Sequence, residues 1–242
     1  MNKIKNKFLV MSGKGGVGKT TVAVNLAYAL AQKNFKTGLL DVDIHGPNAP
    51  KMLNLEDEQV FMEDEKMVPI KVNDNLKVMS IAFLSKKESA VIWRGPMKHN
   101  IIRQFIEDVG WGELDYLIID FPPGTGDEAI SISQLLKDIT GSIIVSTPQQ
   151  VALLDVIKSI DFSRKVSIPV IGLIENMAGE VFGKGSVRDL ADKEKINFLG
   201  SLKLDRKIME SGDKGKPFVI DKSLNATKLF NDIVEKIMVL KN

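Results

Sequence analysis

The chain has no cysteine among its 242 residues. That excludes disulfides, thiolate catalysis and any cysteine-ligated zinc or iron–sulfur centre furnished by this chain alone. Histidine is nearly as scarce: His45 and His99 are the two present, too few for an ordinary zinc site. Long apolar runs are missing, so nothing approaches the length of a membrane span. An excess of one charge is missing as well. Lys and Arg total 33 against 31 Asp and Glu, a net of +2, which gives no argument for a nucleic-acid partner. The basic stretch Met1–Lys7 is followed by too short an apolar run for a signal peptide. It reads as a short solvated lead-in to a cytoplasmic protein with no membrane partner. Repeats and linkers are absent too, and residues 1–242 read as one domain.

What is present is an ordinary globular composition, 44% apolar and 26% charged, enough for a sizeable core. Strand and helix patterns alternate. Apolar runs at Phe8–Met11, Thr37–Asp41, Leu76–Ile81, Tyr116–Asp120, Gly141–Ser146, Val170–Glu175 and Phe198–Leu202 predict strands buried on both faces. Helical spacing fits Thr20–Gln32, Met97–Val109, Glu128–Lys137, Val151–Arg164, Ser186–Lys193, Arg206–Glu210 and Asn225–Val239. This order predicts an α/β fold, a mostly parallel twisted sheet flanked by helices. Two apolar stretches, Gln59–Met62 and Met67–Ile70, predict a surface hairpin joined by the acidic Glu63–Lys66 segment. The C-terminal stripe Leu229, Phe230, Ile233, Val234, Ile237 and Met238 faces a mixed-charge side. It predicts packing on the sheet rather than membrane binding.

The segment Gly13-Lys14-Gly15-Gly16-Val17-Gly18-Lys19-Thr20 follows the first strand and opens the first helix, the setting a phosphate-binding loop requires. Its glycines let successive N–H groups point at a phosphate, and the helix N-terminus adds to that field. Lys19 can reach the outer phosphates, and the Thr20 hydroxyl can hold Mg²⁺. Lys14 is a second lysine that the loop's fold does not need. It could serve its own subunit's nucleotide, or cross to that of a facing subunit as an arginine finger does.

Two further strands run into acids. Leu117–Asp120 has the pattern that places a carboxylate, Asp120, at the Mg²⁺. Asp41 and Asp43 lie beyond the end of Leu39–Leu40 on one side of the chain. One could orient the attacking water and the other support the Mg²⁺ shell; Asp43, further out, is assigned the water and Asp41 the metal side. Asn176 ends a strand at the same edge, and its amide suits an adenine edge.

Taken together, these residues resemble the MinD/ParA/nitrogenase-iron-protein class, in which an early loop lysine is the signature. Within it the chain is similar to the Mrp/ApbC iron–sulfur cluster carrier ATPases. The similarity rests on Lys14–Thr21, Asp41–Pro50, Trp93–Met97, Asp115–Asp127, Ser146–Gln149, Glu175–Met177 and Gly215–Pro217. It implies Mg²⁺-dependent ATP binding through Gly13, Lys14, Gly15, Gly16, Val17, Gly18, Lys19, Thr20 and Thr21, with hydrolysis. It also implies a homodimer with ATP at the interface and Lys14 acting across it. Asp43 becomes the water-orienting residue, and Asp120 the acid on the Mg²⁺ side. Asn176 becomes an adenine contact, with Pro217 nearby. Partners would be iron–sulfur assembly proteins or apo-metalloproteins. Cluster-carrying members have Cys-x-x-Cys shortly after the Glu-Asn-Met segment; here the sequence reads Met177-Ala178-Gly179-Glu180-Val181-Phe182-Gly183-Lys184-Gly185-Ser186. The ATPase residues are present and the cluster ligands are not. A MinD/ParA-like positioning scaffold is the alternative role.

Overall fold

A computed structural model describes residues 3–85 and 96–240. In chain order it contains β1 (Ile4–Met11), α1 (Lys19–Gln32), β2 (Thr37–Asp41), α2 (Ala49–Met52), β3 (Met62–Glu63), β4 (Lys66–Met67), β5 (Ile70–Asn73), β6 (Leu76–Ser80) and α3 (Ala82–Ser85). There follow α4 (Pro96–Glu107), β7 (Leu114–Asp120), α5 (Asp127–Leu135), β8 (Gly141–Ser146), α6 (Gln150–Lys165), β9 (Val170–Ala178), α7 (Ser186–Glu194), β10 (Phe198–Lys203), α8 (Arg206–Asp213) and α9 (Asn225–Leu240), with a 3₁₀ turn at Phe218–Ile220 before α9. The Trp93–Gly95 part of the family segment lies outside the described residues.

Eight strands form one sheet in the order β10-β9-β8-β1-β7-β2-β6-β5. All neighbours are parallel except β5, which runs antiparallel to β6. Right-handed crossovers fix the layers. The step from β1 to β2 runs one way along the sheet, and those from β7 to β8, β9 and β10 run the other. Hence α1 lies on one face and α5, α6 and α7 on the opposite face. Strands covered on both sides bury every residue, as β2 and β8 do.

Three local readings needed correction. The basic lead-in is not wholly solvated: β1 begins at Ile4, paired with Leu114, and Lys7 is buried with its ammonium on the Lys137 carbonyl. The sheet neighbour β7 extends pairing into that stretch. The hairpin is shorter than expected, Met62–Glu63 against Lys66–Met67. Asp64 and Glu65 adopt left-handed φ, 46° and 60°, so a two-residue turn of the kind hairpins favour suffices. Finally β5 was not predicted, because a four-residue edge strand carries little apolar signal.

The C-terminal helix packs as its pattern predicts. Phe230, Ile233, Val234 and Ile237 are buried in α9. Gly200 in β10 has no side chain where Ile233 approaches, and a Cβ there would lie 2.6 Å from Ile233 Cγ1. Each buried aliphatic side chain contributes about 1.5–3 kcal/mol. Among the described residues, no helix is long and apolar enough to cross a membrane.

Candidate nucleotide site

The carboxyl ends of β1, β2, β7, β9 and β10 form one edge of the sheet, where open α/β sheets bind ligands. The loop after β1 curls over this edge. Gly18 adopts φ 86°, which a β-substituted residue resists. A Cβ there would also overlap the Asn176 amide. Gly13 lies so close to the Asp155 backbone of α6 that a Cβ has no room. The loop is thus gripped from both sides, and Asn176 Nδ2 donates to the Val17 carbonyl at 2.8 Å.

Beneath the loop the acids converge. The sheet pairs Asp41 with Asp120 across β2 and β7. Lys19 Nζ sits 2.7 Å from Asp120 Oδ1 and 3.2 Å from Asp43 Oδ2. The Thr20 hydroxyl donates to Asp120 Oδ2 at 2.7 Å. Burial opposes the Lys19 charge, but Asp120 and Asp43 outweigh it and hold the ammonium above its ordinary range. Burial, and then the charge of Asp43, hold Asp120 above the usual carboxylate range despite Lys19 and Thr20.

Asp41 is placed differently from its expected metal role. One carboxylate oxygen accepts the Ser80 hydroxyl at 2.9 Å and the Ala49 N–H; the other accepts the Asp43 N–H at 3.2 Å. Burial and the nearby Asp120 charge push its carboxyl up to about 8. Its oxygens are already committed to holding the chain beyond β2. Asp43, in turn, accepts the His45 and Gly46 N–H groups at 3.2 and 3.3 Å. Its other oxygen faces Lys19.

A cavity of about 600 Å³ opens here. Gly15, Gly16, Gly18, Lys19, Thr20, Thr21, Asp43 and Asn176 line it. Lys14 does not line it. Its ammonium lies 3.4 Å from Gln149 Oε1 at the β8–α6 corner. Pro217 does not line it either; it is buried ahead of the 3₁₀ turn, and Val219 N–H reaches α1 through Asn25 Oδ1. The far wall is instead Met177, Leu204, Asp205, Ile208 and Met209, which the sequence reading missed. The available signal was that the strand ending near Leu202 finishes at the same sheet edge. Thr20 and Asp120 place two oxygen donors side by side, which fits Mg²⁺, a cation that takes few protein ligands and keeps its waters.

The loop after Asn176 is short and closed. Gly179 and Gly183 exchange both backbone hydrogen bonds at 2.8 Å. The buried Glu175 carboxylate accepts the Gly185 and Val187 N–H groups and the Ser201 hydroxyl, capping α7. Glu175 therefore holds one side of β9's end and Asn176 the other.

A family described as the NUBPL iron-transfer P-loop NTPases, of the ParA group, matches residues 3–238. The iron-sulfur cluster carrier protein of Methanocaldococcus jannaschii is 48% identical over 98% of this chain and 86% of its own. The cytosolic Fe-S cluster assembly factor Nubp2 homolog of Anopheles gambiae is 47% identical over 90% of each chain. Among solved structures, the nucleotide-binding protein of Archaeoglobus fulgidus, in complex with ADP, superposes with a TM-score of 0.80 at 37% identity, covering 93% of this chain and 91% of that one. The MinC:MinD cell division protein complex of Aquifex aeolicus matches at a TM-score of 0.76 and 24% identity, covering 97% and 96%; it shares the fold.

Proposed function

The chain belongs to the NUBPL iron-transfer P-loop NTPases, and on that premise we propose that it is a dimeric Mg·ATP-hydrolysing enzyme of iron–sulfur cluster assembly that holds no cluster through its own side chains. The observation carrying this reading is the convergence of Lys19, Thr20, Asp120 and Asp43 beneath the glycine-rich loop. The Archaeoglobus fulgidus relative is in complex with ADP, which supports nucleotide binding by this chain.

The loop N–H groups and Lys19 bind the phosphates. Thr20 and Asp120 would hold Mg²⁺, which when bound neutralises charge on the phosphate oxygens. Lys19 leaves Asp43 for the phosphates, and Asp43 is then free to orient the attacking water. Asp41 anchors the segment that carries Asp43. With its Nδ2 turned onto the Val17 carbonyl, Asn176 keeps its carbonyl oxygen as an acceptor for the base. That acceptor suits the 6-amino group of adenine and repels the 6-oxo group of guanine.

Asp43→Asn is expected to retain ATP affinity within about threefold while turnover falls about 100-fold, the usual worth of a positioned general base. Phosphate release alongside calorimetry tests this; full turnover would remove Asp43 from the water.

Iron–sulfur clusters need soft thiolate ligands, and the 179–189 segment offers the carboxylates of Glu180 and Asp189 and the Lys184 ammonium in their place. The protein reconstituted anaerobically with iron and sulfide is expected to stay colourless and retain no stoichiometric sulfide after desalting. A stable visible chromophore with cluster-level iron would overturn the cluster-free part of the proposal and leave the ATPase part standing. In the cluster-free reading, the thiols come from a partner: an assembly protein or the apo-metalloprotein that receives the cluster.

A further inference from the structure

His45 has no part in the mechanism above, yet it makes one of the shortest contacts at the site. Its Nε2 lies 2.6 Å from Glu128 Oε2. The contact joins two loops that the chemistry needs in register. His45 belongs to the segment after β2, and its own N–H is held by the Asp43 carboxylate at 3.2 Å. Glu128 stands in the first turn of α5, just after the turn that leads out of Asp120. That turn is tied to the phosphate loop, because Gly124 N–H donates to the Ser12 carbonyl at 2.8 Å.

The two segments are joined at their base by a backbone bond, Val42 N–H to the Asp120 carbonyl at 3.1 Å. Further along both segments the bridge is His45 to Glu128. Asp43 lies along the chain between Val42 and His45, and Lys19 pairs with both Asp43 and Asp120. The Asp41 carboxylate also holds the Asp43 and Ala49 N–H groups; with the outer tie broken, the His45 end of the segment loses its side-chain anchor, and an error of about 1 Å in Asp43 is enough to cost turnover.

We infer that His45 and Glu128 act as a positioning pair for the water-orienting carboxylate, fixing Asp43 through the backbone that follows it. The inference rests on the proposed role of Asp43. His45 lines the cavity, but the role inferred for the pair is positional: its effect passes through Asp43.

Two measurements test it. In the ligand-free protein, hydrogen exchange at the His45 and Gly46 amides is expected to quicken about 10-fold in Glu128→Ala, because those amides are held by Asp43 in the segment the pair secures. Unchanged protection overturns the inference, whatever the turnover. In steady-state phosphate release, His45→Ala and Glu128→Ala are each expected to lower kcat about 10-fold, the worth of a hydrogen bond to a charged group, with ADP affinity unchanged. The double variant is expected to be no worse than either single one. His45→Gln, which keeps a donor at similar reach, is expected to restore most of kcat when Glu128 is present and none when it is Ala. Wild-type kcat in His45→Ala, or independent multiplicative losses, overturns the pairing. Asp43→Asn in the same assay separates the two readings. If it is inactive while His45→Ala is normal, the pair alone fails; if it is fully active, the role of Asp43 fails first.

Discussion

Lys19→Ala is expected to weaken ADP and Mg·ATP binding at least 100-fold, an order-of-magnitude figure for losing two charge-assisted hydrogen bonds to phosphate. Its cost reaches beyond binding. In the ligand-free protein Lys19 is the buried cation between Asp120 and Asp43, and removing it leaves two carboxylates without the charge that joins them. Breaking a buried pair from one side costs about 3 kcal/mol or more. For a chain of this size that lowers the melting temperature by roughly 10 °C. Both effects are read on one sample, by calorimetry well below the transition and by thermal unfolding. Adding Asp43→Asn to Lys19→Ala should recover part of the stability, since one stranded charge is gone, and none of the affinity. ADP affinity within about threefold of wild type in a folded Lys19→Ala protein would remove Lys19 from the phosphate site.

Lys14→Ala is expected to leave ADP affinity nearly intact and to reduce turnover about 1000-fold, as loss of a finger residue supplied in trans does. In the monomer Lys14 lies outside the cavity, 3.4 Å from the neutral Gln149 amide oxygen. A neutral partner at that distance holds an ammonium weakly. Light scattering with a slowly hydrolysed ATP analogue should show a dimer for wild type and a monomer for the variant. Mixing supplies a sharper criterion. Lys14→Ala and Asp43→Asn are each poorly active alone. A mixed dimer has one complete site, in which Asp43 of one subunit works with Lys14 of the other. Equal mixing should therefore restore roughly a quarter of wild-type turnover, the statistical yield for a two-fold dimer. No recovery on mixing would mean that Lys14 acts within its own subunit.

The limits of sequence reading are visible in particular residues. The phosphate loop was legible because its chemistry is local: backbone N–H groups, a lysine and a hydroxyl within eight consecutive residues, between an apolar strand and an amphipathic helix. The seven principal strands were legible because burial on both faces leaves unbroken apolar runs. Alternation places Asp41 and Asp43 on one side, and distance from the strand end alone assigned the water to Asp43 and the metal side to Asp41. The fold separates them through Ser80, which only the β2–β6 pairing brings beside Asp41. Pro217 was placed by analogy, and it is the far wall from Met177 to Met209 that faces the cavity. Apart from Met177 at the end of β9, that wall comes from the link after β10 and from α8, about thirty residues further along the chain and set beside β9 by sheet order.

By itself the sequence determined which chemistries this chain can carry. With no thiol and two histidines it leaves soft-metal ligation to others, and with its glycine-rich loop, two lysines and strand-end acids it has what phosphate and a hard cation require. Those properties follow from residue type and short-range spacing, which the covalent chain already sets. Tertiary structure decided which groups meet. It put Lys19 between Asp120 and Asp43, committed Asp41 to Ser80, turned Asn176 onto the loop at Val17 and joined His45 to Glu128. Each of these contacts spans strands or loops remote in sequence, and their partners are chosen by strand order and crossover handedness, to which no local pattern gives access.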